Sequence, residues 1–353
     1  MRDMRKRQVN IDILKCVAVL FVVGVHFFLH TNYYNQPFKD KSISFSSIIW
    51  LLFMTCVPLF IMVTGYLMKN KTYCKSYFLK LLPVLGTYIV CAAIYTFFDR
   101  VQINSDYLNK LIDNILSFSH YAWYVNMYIG LYLIIPLLNG GFQSINSKRY
   151  QKLILIILVV LTSFPSTLSI ISNSHPSLGV ITHLVPDFWK GLWPISYYLI
   201  GSYLSTINYK FKPIVFFMGA LGVDLITVIL LALFSDKSLG IEFQSLPVLF
   251  LAILIFNGIL QCQFSIRNKV AERVTMFVSN NTLPIYLLSV IGDNHWYPIL
   301  MSKWVDFSHA FRFLPFIILA LFMQSLLITV ILKTVITVIL NGIRMLKIKN
   351  QNF

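Results

Sequence analysis

Ten runs of roughly 20 apolar residues follow one another along this chain, each long enough to cross a hydrocarbon core of about 30 Å as a helix. They lie near 11–30, 46–68, 77–98, 119–138, 152–172, 187–206, 213–234, 245–262, 276–295 and 312–336. No soluble fold needs such a succession. The composition agrees, since only 12% of residues are charged, against about 25% in a soluble domain. The expected fold class is therefore all-α: a polytopic integral membrane protein of about ten helices. One transmembrane domain is expected to cover residues 1–353. The basic start MRDMRKRQ leads into a run too long for a signal-peptide core, so the first run is expected to stay in the membrane.

Lysine and arginine set the orientation, because they accumulate on the cytoplasmic side. With the N-terminus inside, eighteen of the 29 basic residues fall in cytoplasmic segments and seven in outer ones. Every inner loop is basic, and an odd number of spans would break that alternation. Both termini are thus expected to be cytoplasmic. The net charge of +16 is then a topology signal and an attraction to anionic membrane lipids, and nucleic acid is not needed to explain it. The longest non-apolar stretches, 31–45, 99–118, 173–186 and 296–311, all fall outside and bring Tyr33, Tyr34, His175, His183, His295 and Trp296 there. They could shape an outer acceptor site or serve as plain connectors.

The first run, Ile11 to Leu29, carries Asp12, Lys15 and His26. Ionisable groups in a span are costly and usually face the protein interior. Lys15 and His26 are eleven residues apart, three turns plus about 20°, so they share one stripe at a separation of about 16 Å. Asp12 falls near the same stripe. An imidazole can take a proton from a hydroxyl, as general bases do. Lys15 could hold an anion at the inner mouth of a cavity, or could snorkel to the headgroups and pair with Asp12. Lys80 could flank it as a second cation. Asp224, in the middle of the seventh run, must be protonated, paired or wet.

The fourth run, HYAWYVNMYIGLYLIIP, is rich in rings. His120, Trp123 and Tyr124 suit an aromatic belt, while Tyr128 and Tyr132, four residues apart, would line something internal. Pro284 is expected to break or kink the ninth run. The five cysteines have no paired spacing, so neither a disulfide framework nor a metal site is expected. No phosphate loop or dinucleotide fingerprint is present, and no tightly bound cofactor is expected.

These residues resemble the membrane acyltransferase family 3, ten-span proteins that acylate hydroxyl or amino groups of bacterial surface carbohydrates. The family opens on Asp-x-x-Arg followed by His eleven positions after the Arg. Here the pattern reads Asp12 to Lys15 and on to His26. Pro58, Phe60, Gly65 and Tyr66 are similar to its second-span stretch; Trp123, Tyr124, Tyr132 and Pro136 to its fourth; Gly201 to its sixth; LPIYLLS to its ninth. Four positions depart: Lys15 stands for the first-span Arg, Tyr77 and Lys80 for an Arg-x-x-Arg pair, and Ser289 for a late His. Lysine keeps the charge but loses the bidentate fork.

The resemblance implies an O-acyltransferase of the bacterial cytoplasmic membrane, with acetyl-CoA as co-substrate. Its partners would be the acyl-CoA, a carbohydrate acceptor (a polysaccharide or a lipid-linked glycan) and membrane lipids. It implies His26 and Asp12 as catalytic residues and Lys15 and Lys80 as acyl-CoA ligands. His120, Trp123, Tyr124 and Tyr128 would line the acceptor cavity. The departures leave open a transporter or flippase built on the same bundle.

Overall fold

The computed structural model describes residues 8–36, 41–99, 105–116, 122–174, 185–207, 211–234, 241–264, 266, 268–304 and 306–351. Among them every long element is a helix and there is no strand. The order is α1 (Val9–His30), α2 (Lys41–Phe53), α3 (Cys56–Met68), α4 (Lys75–Leu79), α5 (Leu82–Phe98), α6 (Ser105–Leu116), α7 (Trp123–Gln143) and α8 (Lys148–Ser174). Then follow α9 (Trp193–Leu204), α10 (Pro213–Phe234), α11 (Leu246–Gln261), α12 (Lys269–Asn280), α13 (Thr282–Lys303), α14 (Phe307–Arg312) and α15 (Leu314–Gln351). Short 3-10 turns occupy Tyr33–Asn35 and Asp187–Leu192.

Among the described residues, seven segments are long and apolar enough to cross a membrane. The bent pair α12–α13 makes up to eight. The expected count of ten is not reached by length alone, because α9 has 12 residues and α11 has 16. At 1.5 Å per residue those rise about 18 and 24 Å, short of the ~30 Å core. The break expected at Pro284 lies instead at Asn281, where α12 and α13 meet at 80°. Pro284 falls in the first turn of α13, where a missing N–H costs nothing. On the α12 side, Asn268 caps the helix by accepting from the amides of Val270 and Ala271.

Helix α1 is the hub. It touches α2, α3, α11, α12, α13 and α15, and Leu14, Ala18, Val23 and Phe27 are fully buried among them. On its far side α3 packs hardest on α9. Two glycines allow that contact. A Cβ on Gly65 would lie 2.0 Å from the Tyr198 carbonyl oxygen, and one on Gly201 would lie 2.1 Å from that of Met62. Small residues at a crossing let two backbones meet, the usual device for packing helices in lipid. The side amide of Asn139 ties the bundle further. It donates to the carbonyls of Met68 and Lys71, both at 2.9 Å, and accepts from the Tyr198 hydroxyl at 2.7 Å. The C-terminal half of α7 therefore sits beside the end of α3, and nearer their starts Tyr124 meets Phe60 at 6.1 Å, so the two helices run the same way. Outward, Ile226 and Leu233 of α10 and Phe316 and Leu327 of α15 are exposed, an apolar surface of the kind that lipid covers.

Candidate functional site

A cavity of about 500 Å³ opens along one face of α1. Lys15 lines it towards the start of that helix, and His26 and Leu29 line it towards the end. The shared stripe read from the spacing is thus a cavity wall. Opposite stand Cys56, Phe60 and Met68 of α3, Trp123, Tyr124 and Tyr128 of α7, and Thr282 and Tyr286 of α13. Most of the lining is apolar. Charged groups inside act across a low dielectric and are worth more than in water.

His26 is held by a partner from the other end of the chain. Its Nδ1 lies 2.6 Å from Oδ2 of Asp293 on α13. The Asp293 side chain is 1% exposed and that of His26 is 22% exposed. A buried carboxylate accepts, so Nδ1 donates, and Nε2 is the ring nitrogen left for the cavity. The other carboxylate oxygen, Oδ1, has no hydrogen-bond partner among the described residues. One turn further along α1, the His30 ring stacks on Tyr297 at 4.9 Å and 11°. It meets His26 edge-on at 6.4 Å. His26 is therefore fixed on one side and open on the other.

Tyr34, just beyond α1, also lines the cavity, and its hydroxyl accepts from Trp50 Nε1 at 3.0 Å. Burial pushes the Tyr34 phenol above its ordinary value, so it keeps its proton as a hydrogen-bond donor. Tyr124 and Tyr128 stack at 6.2 Å and 26°, and Tyr286 meets Tyr124 edge-on at 6.1 Å. These rings form one wall.

The other expected site residues are placed as follows. Asp12 is fourteen residues before His26, a rise of about 21 Å, and accepts from the Ser279 hydroxyl at 2.5 Å. The carboxylate that meets His26 is Asp293. Lys80 is exposed at the end of α4 and does not line the cavity, although Val84, one turn on, does. His120 lies outside the described residues, as do His175 and His183. Tyr132 turns away from the cavity into a clasp with Tyr77. Each phenol donates to the other's carbonyl, at 2.8 and 2.5 Å, and the rings stack at 4.4 Å. Ser289 donates within its own helix to the Tyr286 carbonyl at 2.8 Å. Asp224 is buried on α10 and does not line the cavity. No group of three or more potential metal ligands occurs among the described residues.

Asp293 escaped the reading of the sequence. It lies two residues from the end of the expected ninth span, where an acid reads as ordinary interface. The 80° bend at Asn281 instead lets α13 run on to Lys303, which carries Asp293 into the bundle. A carboxylate followed by Asn294 and His295 in an apolar run was the available signal.

The His26–Asp293 pair thus opens on a cavity with a lysine at its far end. A family model described as an acyltransferase domain matches residues 8–340. The chain belongs to this acyltransferase family. No curated protein and no solved structure matches it. The acyltransferase is thus a multi-pass membrane protein whose family match runs from the first turn of α1 into α15.

Proposed function

We propose that this acyltransferase moves an acyl group, acetyl in the simplest case, from cytosolic acyl-CoA to a hydroxyl of a cell-envelope carbohydrate. The observation that carries the proposal is the His26–Asp293 pair at one end of a cavity that Lys15 shares at the other. The donor's anionic head would rest at the Lys15 mouth, with Lys80 as an outlying second cation. Its pantetheine arm would lie along the apolar wall, a reach of about 16 Å from Lys15 to His26. Asp12 would hold the inner end of α1 through Ser279.

The step needs only a base and positioning. His26 Nε2 takes the proton of the acceptor hydroxyl, and the oxygen attacks the thioester carbonyl. The carbon–sulfur bond breaks, and the thiolate leaves with the proton that His26 holds. Asp293 keeps Nδ1–H donating and so keeps Nε2 available, and it stabilises the imidazolium between the two transfers.

The lysine and arginine distribution supports cytoplasmic termini, and the family resemblance is the ground for a bacterial plasma membrane. Three further crossings would complete ten: the bent α12–α13 pair, α11, and the 3-10 turn Asp187–Leu192 running into α9. That last pair would rise about 30 Å in all. Residues 1–353 would form one domain.

His26→Ala in cells tests the reading. At equal amounts of protein in the membrane, acetyl groups on the surface glycan should vanish. Unchanged acetylation would end the role of His26. Glycan movement across the membrane without coenzyme A release would favour a transporter.

A further inference from the structure

Three rings stand in a column beside the cavity. Trp123, at the start of α7, stacks on Phe243 at 5.6 Å and 25°. Phe243 stacks in turn on Trp193 at 6.3 Å and 26°. Trp123 and Phe243 line the cavity. Phe243 comes from residues 241–245, the short segment that leads into α11.

That segment is pinned more firmly than a connector requires. The Tyr197 hydroxyl donates to the Phe243 carbonyl at 2.7 Å. The Leu246 amide donates to Thr167 Oγ1 at 2.9 Å, and the Glu242 amide to Ser245 Oγ at 2.9 Å. Ser166 donates to the Glu242 carboxylate at 3.1 Å. Helices α8 and α9 thus both hold the loop, and with it the angle of the Phe243 ring.

The column sits at the His26 end of the cavity. Asn139 fixes the C-terminal half of α7 beside the end of α3, so Trp123 lies at the opposite end, where α3 begins. Phe53, three residues before α3 begins, packs on Gly24 and its ring meets Phe28 at 6.2 Å, which places that end beside the His26 turn of α1. One face of Trp123 is covered by Phe243. The ring remains only half-buried and borders the cavity.

A pyranose has one face of C–H groups and an edge of hydroxyls. The C–H face packs against an electron-rich ring face, leaving the edge for polar partners. We infer that Trp123, held in place by Phe243 and Trp193, is the platform on which a pyranose ring of the acceptor stacks while its hydroxyl edge faces His26. The 241–245 loop is then the element that selects the acceptor. This rests on the acyltransferase reading of the same cavity, and it adds a ring-shaped acceptor and the residues that recognise it.

Saturation-transfer NMR on the full chain in lipid nanodiscs tests it without turnover. The probes are methyl β-D-glucopyranoside and methyl β-D-N-acetylglucosaminide, with glycerol as a polyol that has no ring. The wild type should saturate ring protons of at least one glycoside and none of glycerol. Phe243→Leu keeps most of the packing volume but removes the ring, and should weaken glycoside binding about tenfold, equivalent to ~1.4 kcal/mol. Phe243→Tyr should bind as the wild type does, and Trp123→Leu should abolish the signal. An unshifted thermal midpoint separates these effects from misfolding. Absence of ring-proton saturation in the wild type overturns the platform, as does unchanged affinity in both leucine variants. Failure of the enzyme reading is a different result: sugar binding intact, but no His26-dependent coenzyme A release.

Discussion

His26 and Asp293 are 267 residues apart in the chain and 2.6 Å apart in the bundle. The contact joins the first helix to α13 and aims one imidazole nitrogen at a carboxylate that water does not reach. Everything proposed about the chemistry depends on that pair being held while the cavity side of His26 stays open.

Asp293→Asn keeps the shape and removes the charge. An amide can donate to Nδ1, which favours the tautomer whose Nε2 carries the proton and cannot act as a base. The expected result is a fall in kcat of about 10²-fold or more, within the range that positioned acid–base groups supply. The KM for acyl-CoA and the thermal midpoint should change little. A variant whose kcat stays at the wild-type value would show the contact to be purely structural.

Lys15→Ala should raise the KM for acetyl-CoA about tenfold, or ~1.4 kcal/mol, with a smaller effect on kcat. Lys15→Arg should restore binding, because the charge is kept. Lys80 is exposed and outside the cavity lining, so Lys80→Ala should raise that KM less, and roughly 1 M salt should erase the difference by screening. Steady-state kinetics at two ionic strengths read both effects.

Gly65→Ala and Gly201→Ala each place a methyl group within 2.1 Å of a backbone oxygen across the α3–α9 crossing. Backbone cannot move aside as a side chain can, so the cost should reach at least the ~1–3 kcal/mol of ordinary overpacking. Both variants should lose folded protein in size-exclusion profiles of solubilised membranes. Gly86→Ala, which meets nothing within 4 Å, should not.

Ser279→Ala removes a donor from the buried Asp12 carboxylate. An apparent loss of about 1–3 kcal/mol is expected, the cost of an unmade bond to a buried group. It should appear in the thermal midpoint, with acyl transfer retained in the protein that folds. A large loss of kcat at an unchanged midpoint would instead bring Asp12 into the chemistry.

The Lys15–His26 wall was legible because helical periodicity works over eleven residues within one element. The ring wall of α7 was legible in part: Trp123, Tyr124 and Tyr128 line the cavity, whereas Tyr132 is drawn aside by Tyr77, which no periodicity within α7 could show. Asp293, Phe243 and Tyr34 depend on contacts between elements far apart in the chain. Span counting met a related limit. Hydropathy registers apolar length, but α12 and α13 are set apart by the turn at Asn281, and α9 and α11 are short for the thickness they would cross.

The most direct measurement is coenzyme A release by the purified protein in nanodiscs, given acetyl-CoA and cell-envelope polysaccharide, for the wild type and His26→Ala side by side. The account predicts acceptor-dependent release by the wild type and a loss of about 10²- to 10⁴-fold in the variant, the share a general base supplies. Equal release by a correctly folded His26→Ala protein would contradict it.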